Sequence, residues 1–138
     1  MRTRRSTERM IDIHAFEAGN IDPVDFDHAA HVHIAWLYLQ QTSLAEAIVR
    51  FTAALRQLTV RAGADAKYHE TITWFFLIVI AERRAATPGA DWHTFRRDNA
   101  DLLGDASILR RFYSTERLRS KLAKQQFLLP DRQSLHIF

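Results

Sequence analysis

Residues 22–40 read DPVDFDHAAHVHIAWLYLQ, and no other stretch signals its conformation as plainly. Asp22 is a good helix N-cap, Pro23 fits the first helical position, and Asp25 favours the positive end of the helix dipole. The spacing predicts a helix over 23–40. Val24, Phe26, Ala30, Val32, Ile34, Ala35, Trp36, Leu37 and Leu39 leave it almost no polar side. Such a helix is expected to lie buried in the middle of its domain.

The neighbouring segments extend the same pattern. Ser43-Leu44-Ala45-Glu46 is a capping box, and Gly63 suits the residue just past a helix end. Between them Leu44, Ala47, Ile48, Phe51, Ala54, Leu55 and Leu58 recur at helical spacing, while Arg50, Arg56, Gln57 and Arg61 lie elsewhere. This is an amphipathic covering helix. A third helix is predicted from near Asp65 to about Ala86, before Pro88-Gly89. Its β-branched residues suit a strand, but its length and the late Arg83-Arg84 favour a second buried helix. Shorter helices are predicted from Asp91 through Arg97, from Asp105 through Phe112, and from Ser114 to about Lys124, followed by a strap around Phe127-Leu128-Leu129-Pro130. The expected architecture is an all-α, single-domain bundle. Two buried parallel helices are separated in sequence by an amphipathic one, and the C-terminal half is irregular and helical.

Composition agrees. A chain of 138 residues holds one core, and 47% hydrophobic content excludes disorder for most of it. The absence of cysteine excludes disulfides, thiolate metal sites and thiol nucleophiles. Arg2, Arg4, Arg5 and Arg9, set against Glu8 alone, account for the whole formal charge of +3. Residues 1–10 therefore read as a basic mobile tail, and 11–138 as a neutral helical domain with no footprint for a phosphate backbone. The longest apolar run, Trp74 to Ala81, is far too short to span a bilayer. The arginine-rich start leads into Ile11-Asp12-Ile13-His14, not into an apolar leader. The expectation is a cytoplasmic protein without nucleic-acid or membrane partners.

Two polar islands interrupt the buried helices. On a wheel of about 100° per residue, Asp27, His28, His31 and Tyr38 share one sector with Val24, Ile34 and Ala35. His69, Glu70 and Thr73 sit likewise among Phe76, Leu77 and Ile80. Short links make sequential helices antiparallel, so the first and third run parallel and bring both islands to one end of the bundle. His28, His31, His69, Glu70 and Thr73 are then expected around one pocket, with Tyr38 deeper and Tyr68 at the rim. A carboxylate beside imidazoles in apolar surroundings suits general acid–base catalysis. Trp36 and Trp74 could wall a flat substrate.

Each residue also has a plainer explanation. A single buried histidine is most often a satisfied core residue, and His14, His33, His93 and His136 are read so. Glu70 suits the start of a helix, and Thr73 can bond back to the carbonyl of His69. Arg111 and Arg132 could hold an anion, but are read as solvated surface residues. The alternative chemistry is a divalent metal, zinc or iron, held by His28, His31, His69 and Glu70. Against it, no repeated Glu-x-x-His or His-Glu-x-x-His occurs, and His69 and Glu70 point about 100° apart.

Phe26-Asp27-His28-Ala29-Ala30-His31, Lys67-Tyr68-His69-Glu70-Thr71-Ile72-Thr73, Phe112-Tyr113-Ser114 and Leu129-Pro130-Asp131 together resemble a family of short bacterial helical proteins, over nearly the whole chain after the tail. The chain is also similar to small bacterial Pictet–Spenglerases of the streptonigrin type. That resemblance implies a metal-independent condensation of an aromatic amine with an aldehyde, a carbon–carbon bond-forming step of lyase or synthase type. Glu70 would be the base, His69 and His28 the shuttle or orienting groups, and Trp36 or Trp74 the aromatic slot. The expectation is a cofactor-free small-molecule enzyme with catalytic Glu70, His69, His28 and His31. Thr73, Tyr38, Tyr68, Trp36 and Trp74 would bind an aromatic substrate, and a homodimer is a possible assembly. The alternatives are the metal-binding bundle and a non-catalytic helical binding module.

Overall fold

In the computed structural model, which describes residues 12–104 and 107–132, every regular element is helical. Helix α1 spans Ile13–Glu17, α2 His28–Gln41, α3 Leu44–Arg61 and α4 Glu70–Ala86. Short helices follow: α5 (Trp92–Asp98), α6 (Ala100–Leu103), α7 (Leu109–Phe112), α8 (Thr115–Arg119) and α9 (Lys121–Gln125). None of the described helices is long and apolar enough to cross a membrane. The basic tail and His136 lie outside the described residues, as does Asp105, the predicted start of a helix through Phe112.

The helix starts depart from the sequence expectation. Asp22 caps only a 3-10 turn, Pro23–Asp25, accepting the Val24 N–H. Phe26 then leaves helical geometry and stacks on Phe16, 5.2 Å between ring centroids. Asp27 restarts the chain as N-cap of α2, accepting the Ala30 N–H at 2.9 Å. The predicted third helix is delayed in the same way. Asp65–Lys67 forms a 3-10 turn, Tyr68 turns inward, and His69 caps α4. In both places an aromatic side chain must leave the helical path to reach the core, and burying it outweighs one extra turn of helix. The single segment expected from Ser114 to about Lys124 breaks at Ser120, whose extended backbone lets its hydroxyl accept the Ala123 N–H and start α9. Helix α1, absent from the sequence expectation, is capped by Asp12 accepting the Ala15 N–H.

The α3 terminus forms as its sequence predicts. Gly63 adopts φ +68, its N–H bonds to the Val60 carbonyl, and Ala64 N–H bonds to Thr59. Glycine takes this left-handed conformation without steric cost, and the turn satisfies carbonyls otherwise stranded at the helix end. Helix α2 packs against α4, and Val32, Ile34, Ala35 and Tyr38 of the one and Phe76, Leu77 and Ile80 of the other are buried in the same core. Helix α3 covers the pair through Ala47, Phe51, Ala54, Leu55 and Leu58. The first turns of α2 and α4 and the last turn of α3 meet at one end, giving the expected parallel arrangement of the two buried helices.

The C-terminal half is wired to α4 by hydrogen bonds. Thr71, fully buried, has its hydroxyl 2.7 Å from the Ala123 carbonyl and 2.9 Å from that of Gln126, and accepts the Leu128 N–H at 3.1 Å. Tyr113 donates its phenol to the Leu128 carbonyl at 2.6 Å. Asp131 accepts both the N–H and the hydroxyl of Ser114, and Trp74 stacks on Phe127. Arg83 holds Asp101 and the buried Asn99, tying α6 to the end of α4.

Candidate functional site

A half-open hollow of about 360 Å³ lies where α2, α3 and α4 converge. That is near the lower end of small-molecule sites. Its walls come from Pro23 to His31, from Leu55 to Ala62, and from Ala64 to Thr73, and apolar surface dominates them. His28, His31, Tyr68, His69 and Thr73 all line it, so five of the sequence-selected residues are brought together.

Helix α2 presents two imidazoles one turn apart. His28 donates Nε2–H to the carbonyl of Leu102 at 2.7 Å, which ties the start of α2 to α6. Its ring meets the edge of Phe76 at 4.9 Å. His31 is packed between Phe26 and Phe51, with ring centroids at 6.0 and 5.0 Å. Its Nε2 is closed off from solvent and has no hydrogen-bond partner among the described residues. Burial, reinforced by the charge His28 could carry, pushes the His31 imidazole down to about 3. His31 is therefore neutral throughout the physiological range.

The α4 residues are more heavily committed. His69 is the helix cap: Nδ1 accepts the Ile72 N–H at 3.2 Å, and Nε2–H donates to the Leu118 carbonyl at 2.7 Å. Both ring nitrogens are occupied. Thr73 donates to the His69 carbonyl at 2.8 Å. Tyr68 donates to Glu70 Oε1 at 2.6 Å, and the Arg56 guanidinium lies 4.2 Å from its ring centroid. Burial first, then Glu70, raises the Tyr68 phenol above its ordinary value. Glu70 does not line the hollow; the same Oε1 also accepts from Arg56 at 3.3 Å. It stands behind the Tyr68 wall.

The remaining predicted ligand contacts lie elsewhere. Tyr38, fully buried, donates to Glu17 Oε2 at 2.6 Å, and Arg50 binds both oxygens of that carboxylate. Arg50 also lies 5.3 Å from the Tyr38 ring, repeating around α1 the arrangement of Tyr68, Glu70 and Arg56. Burial and Glu17 raise the Tyr38 phenol, and Arg50 lowers the Glu17 carboxyl. Trp36 packs with Trp92 and Phe95, and Trp74 with Phe127; neither lines the hollow. Among the described residues no three His, Asp or Glu side chains are arranged to hold a metal, so the alternative set of His28, His31, His69 and Glu70 is not assembled.

Sequence reasoning missed Phe26, Leu55, Leu58, Lys67 and Ile72 as lining residues, and Arg56 as the group over Tyr68. Lys67 belongs to the quoted motif and could have been found. Leu55 and Leu58 carry only a core signal. The arrangement can enclose a small flat molecule and offer it neutral imidazole. Compared with known proteins, the chain matches no protein-family model, no curated protein and no solved structure.

Proposed function

We propose that the protein binds a small, flat, largely apolar molecule in this hollow and acts on it in the cytoplasm by metal-independent acid–base chemistry centred on His31 and His28. The observation that carries this is the His31 imidazole: kept neutral, set in an aromatic wall, with a buried nitrogen that no group among the described residues satisfies. An unpaired buried polar atom costs about 1–3 kcal/mol, so it calls for an explanation such as a bound ligand. Such an imidazole is a weak base, and it suits a strongly acidic proton.

A Pictet–Spengler-type condensation supplies one. The amine, entering as its ammonium ion, and the aldehyde lose water to give an iminium, and an aromatic ring carbon forms a bond to the iminium carbon. The resulting ring cation sheds the proton on its attacking carbon, which restores aromaticity. In this reading His31 takes that proton, Glu70 and Arg56 position the Tyr68 wall, and His69 and Thr73 shape the mouth. A second reading, a non-catalytic binding pocket, is favoured by the bonds that already occupy Glu70, His69 and Thr73.

The test is a thermal-shift series with indole ethylamines, aldehydes and divalent metals, followed by mass detection of the ring-closed product. A ligand that binds only the folded state raises its melting temperature. Binding, turnover unaffected by chelator, and loss of turnover in His31→Gln support the enzyme. Binding without product supports the second reading. Absence of any shift rejects both.

A further inference from the structure

The outward face of α3 carries apolar residues where a covering helix normally sets its charges. Val49 and Val60 are 67% and 62% exposed, about three turns apart on one line, with Ala45 and Ala53 exposed beside them. At the Val60 end this line opens into a shallow hollow of about 480 Å³, bounded by Ala18, Gly19, Gln57 and Arg61. Charges flank the line asymmetrically. Glu46 stands at one end, its carboxylate touched among the described residues only by Arg50 at 3.4 Å. Arg61 stands at the other and makes no ion pair among the described residues.

We infer that this face binds a second copy of the same chain, α3 against α3 in antiparallel register about a two-fold axis. A two-fold makes every contact twice, so a face that docks on itself must be its own complement. This one is. Antiparallel register sets Val49 of each copy into the hollow beside Val60 of the other. It also brings Glu46 of each copy to within about 3 Å, along the helix axis, of Arg61 of the other, on the same flank and within reach of the two long side chains. Arg56, close to the axis, is already neutralised by Glu70 and drawn over Tyr68, so the two copies do not repel there. Helix α3 has 18 residues. Its length of about 27 Å gives a footprint below the roughly 800 Å² per partner of a standard interface, so the dimer is weak and concentration-dependent.

Sedimentation velocity of the full chain from about 10 to about 500 µM reads the association directly. The expected result is a mass rising from 16.0 kDa towards twice that value. Glu46→Arg and Arg61→Glu should each weaken association about tenfold, and the double reversal should restore it to within about threefold. Val49→Asp should leave only monomer with an unchanged melting temperature. A chain that stays monomeric overturns the inference, including the case in which residues 1–11 occupy the face instead. So does a double reversal that fails to restore what the single ones lose.

Discussion

Acidification should destabilise this protein through His31. An unfolded imidazole titrates near 6.5, whereas in the fold burial pushes His31 down to about 3. The unfolded chain therefore takes up a proton that the folded chain refuses. Stability from this residue is complete above about pH 6.5 and falls as the pH drops towards 3. Linkage between the two values gives a loss of about 2 kcal/mol between pH 7 and pH 5, and about 3 kcal/mol by pH 4. For a chain of this size 2 kcal/mol lowers the melting temperature on the order of 6 to 8 °C. His33, lowered by burial and by Arg96, and the lowered carboxyls of Glu17, Asp101 and Asp131 also contribute to acid sensitivity. The informative quantity is thus the difference between wild type and His31→Gln, measured by urea unfolding at the two pH values. Glutamine removes the titration and leaves the other groups in place. The wild-type curve should lose about 2 kcal/mol more than the variant, and the His31 ring signals should not titrate above about pH 4. Parallel curves, or a ring that titrates near 6, would refute the argument that His31 is held neutral by burial.

Substitutions at two further positions separate structural from chemical roles in the Lys67–Thr73 motif. Thr71→Val keeps the side-chain shape but strands the Leu128 N–H and a buried carbonyl; it should cost about 2 kcal/mol in urea unfolding and speed amide exchange at Leu128. A loss below about 0.5 kcal/mol would mean that the strap is held by apolar contact alone. His69→Ala removes the α4 cap and the bond to Leu118 and should cost about 2 kcal/mol, whereas His69→Asn, itself a good cap, should recover about half of it. Equal loss in both would show that the cap is not the main role of His69.

Much of the fold was legible because its signals are local. Ser43 and Gly63 bracket α3, Asp91 and Ser114 cap the helices that follow them, and the apolar residues of α2 and α4 leave those helices nowhere to lie but inside. The shared end of α2 and α4 followed from short links, and with it the meeting of His28, His31, His69 and Thr73. The helix starts were misjudged because Asp22 and Asp65 satisfy capping rules, while the requirement that Phe26 and Tyr68 turn inward comes from distant partners. The roles inside the site were the least legible. His69 and Glu70 are adjacent and both polar, yet one caps a helix and the other holds Tyr68 and Arg56. That division depends on Leu118 and Arg56, far away in the chain.

Sequence alone determined the helical class, the order of the long helices and the location of the polar islands, since periodicity, caps and turn residues act over a few positions. Tertiary structure alone decided which polar atoms are spent and which are left over. Trp36, Trp74 and Tyr38 went to other neighbours, Glu70 to its arginine, and His31 was left neutral in an aromatic wall. Hydrogen bonding and desolvation depend on what the chain brings within a few ångströms, and neither is written in the spacing of residues along it.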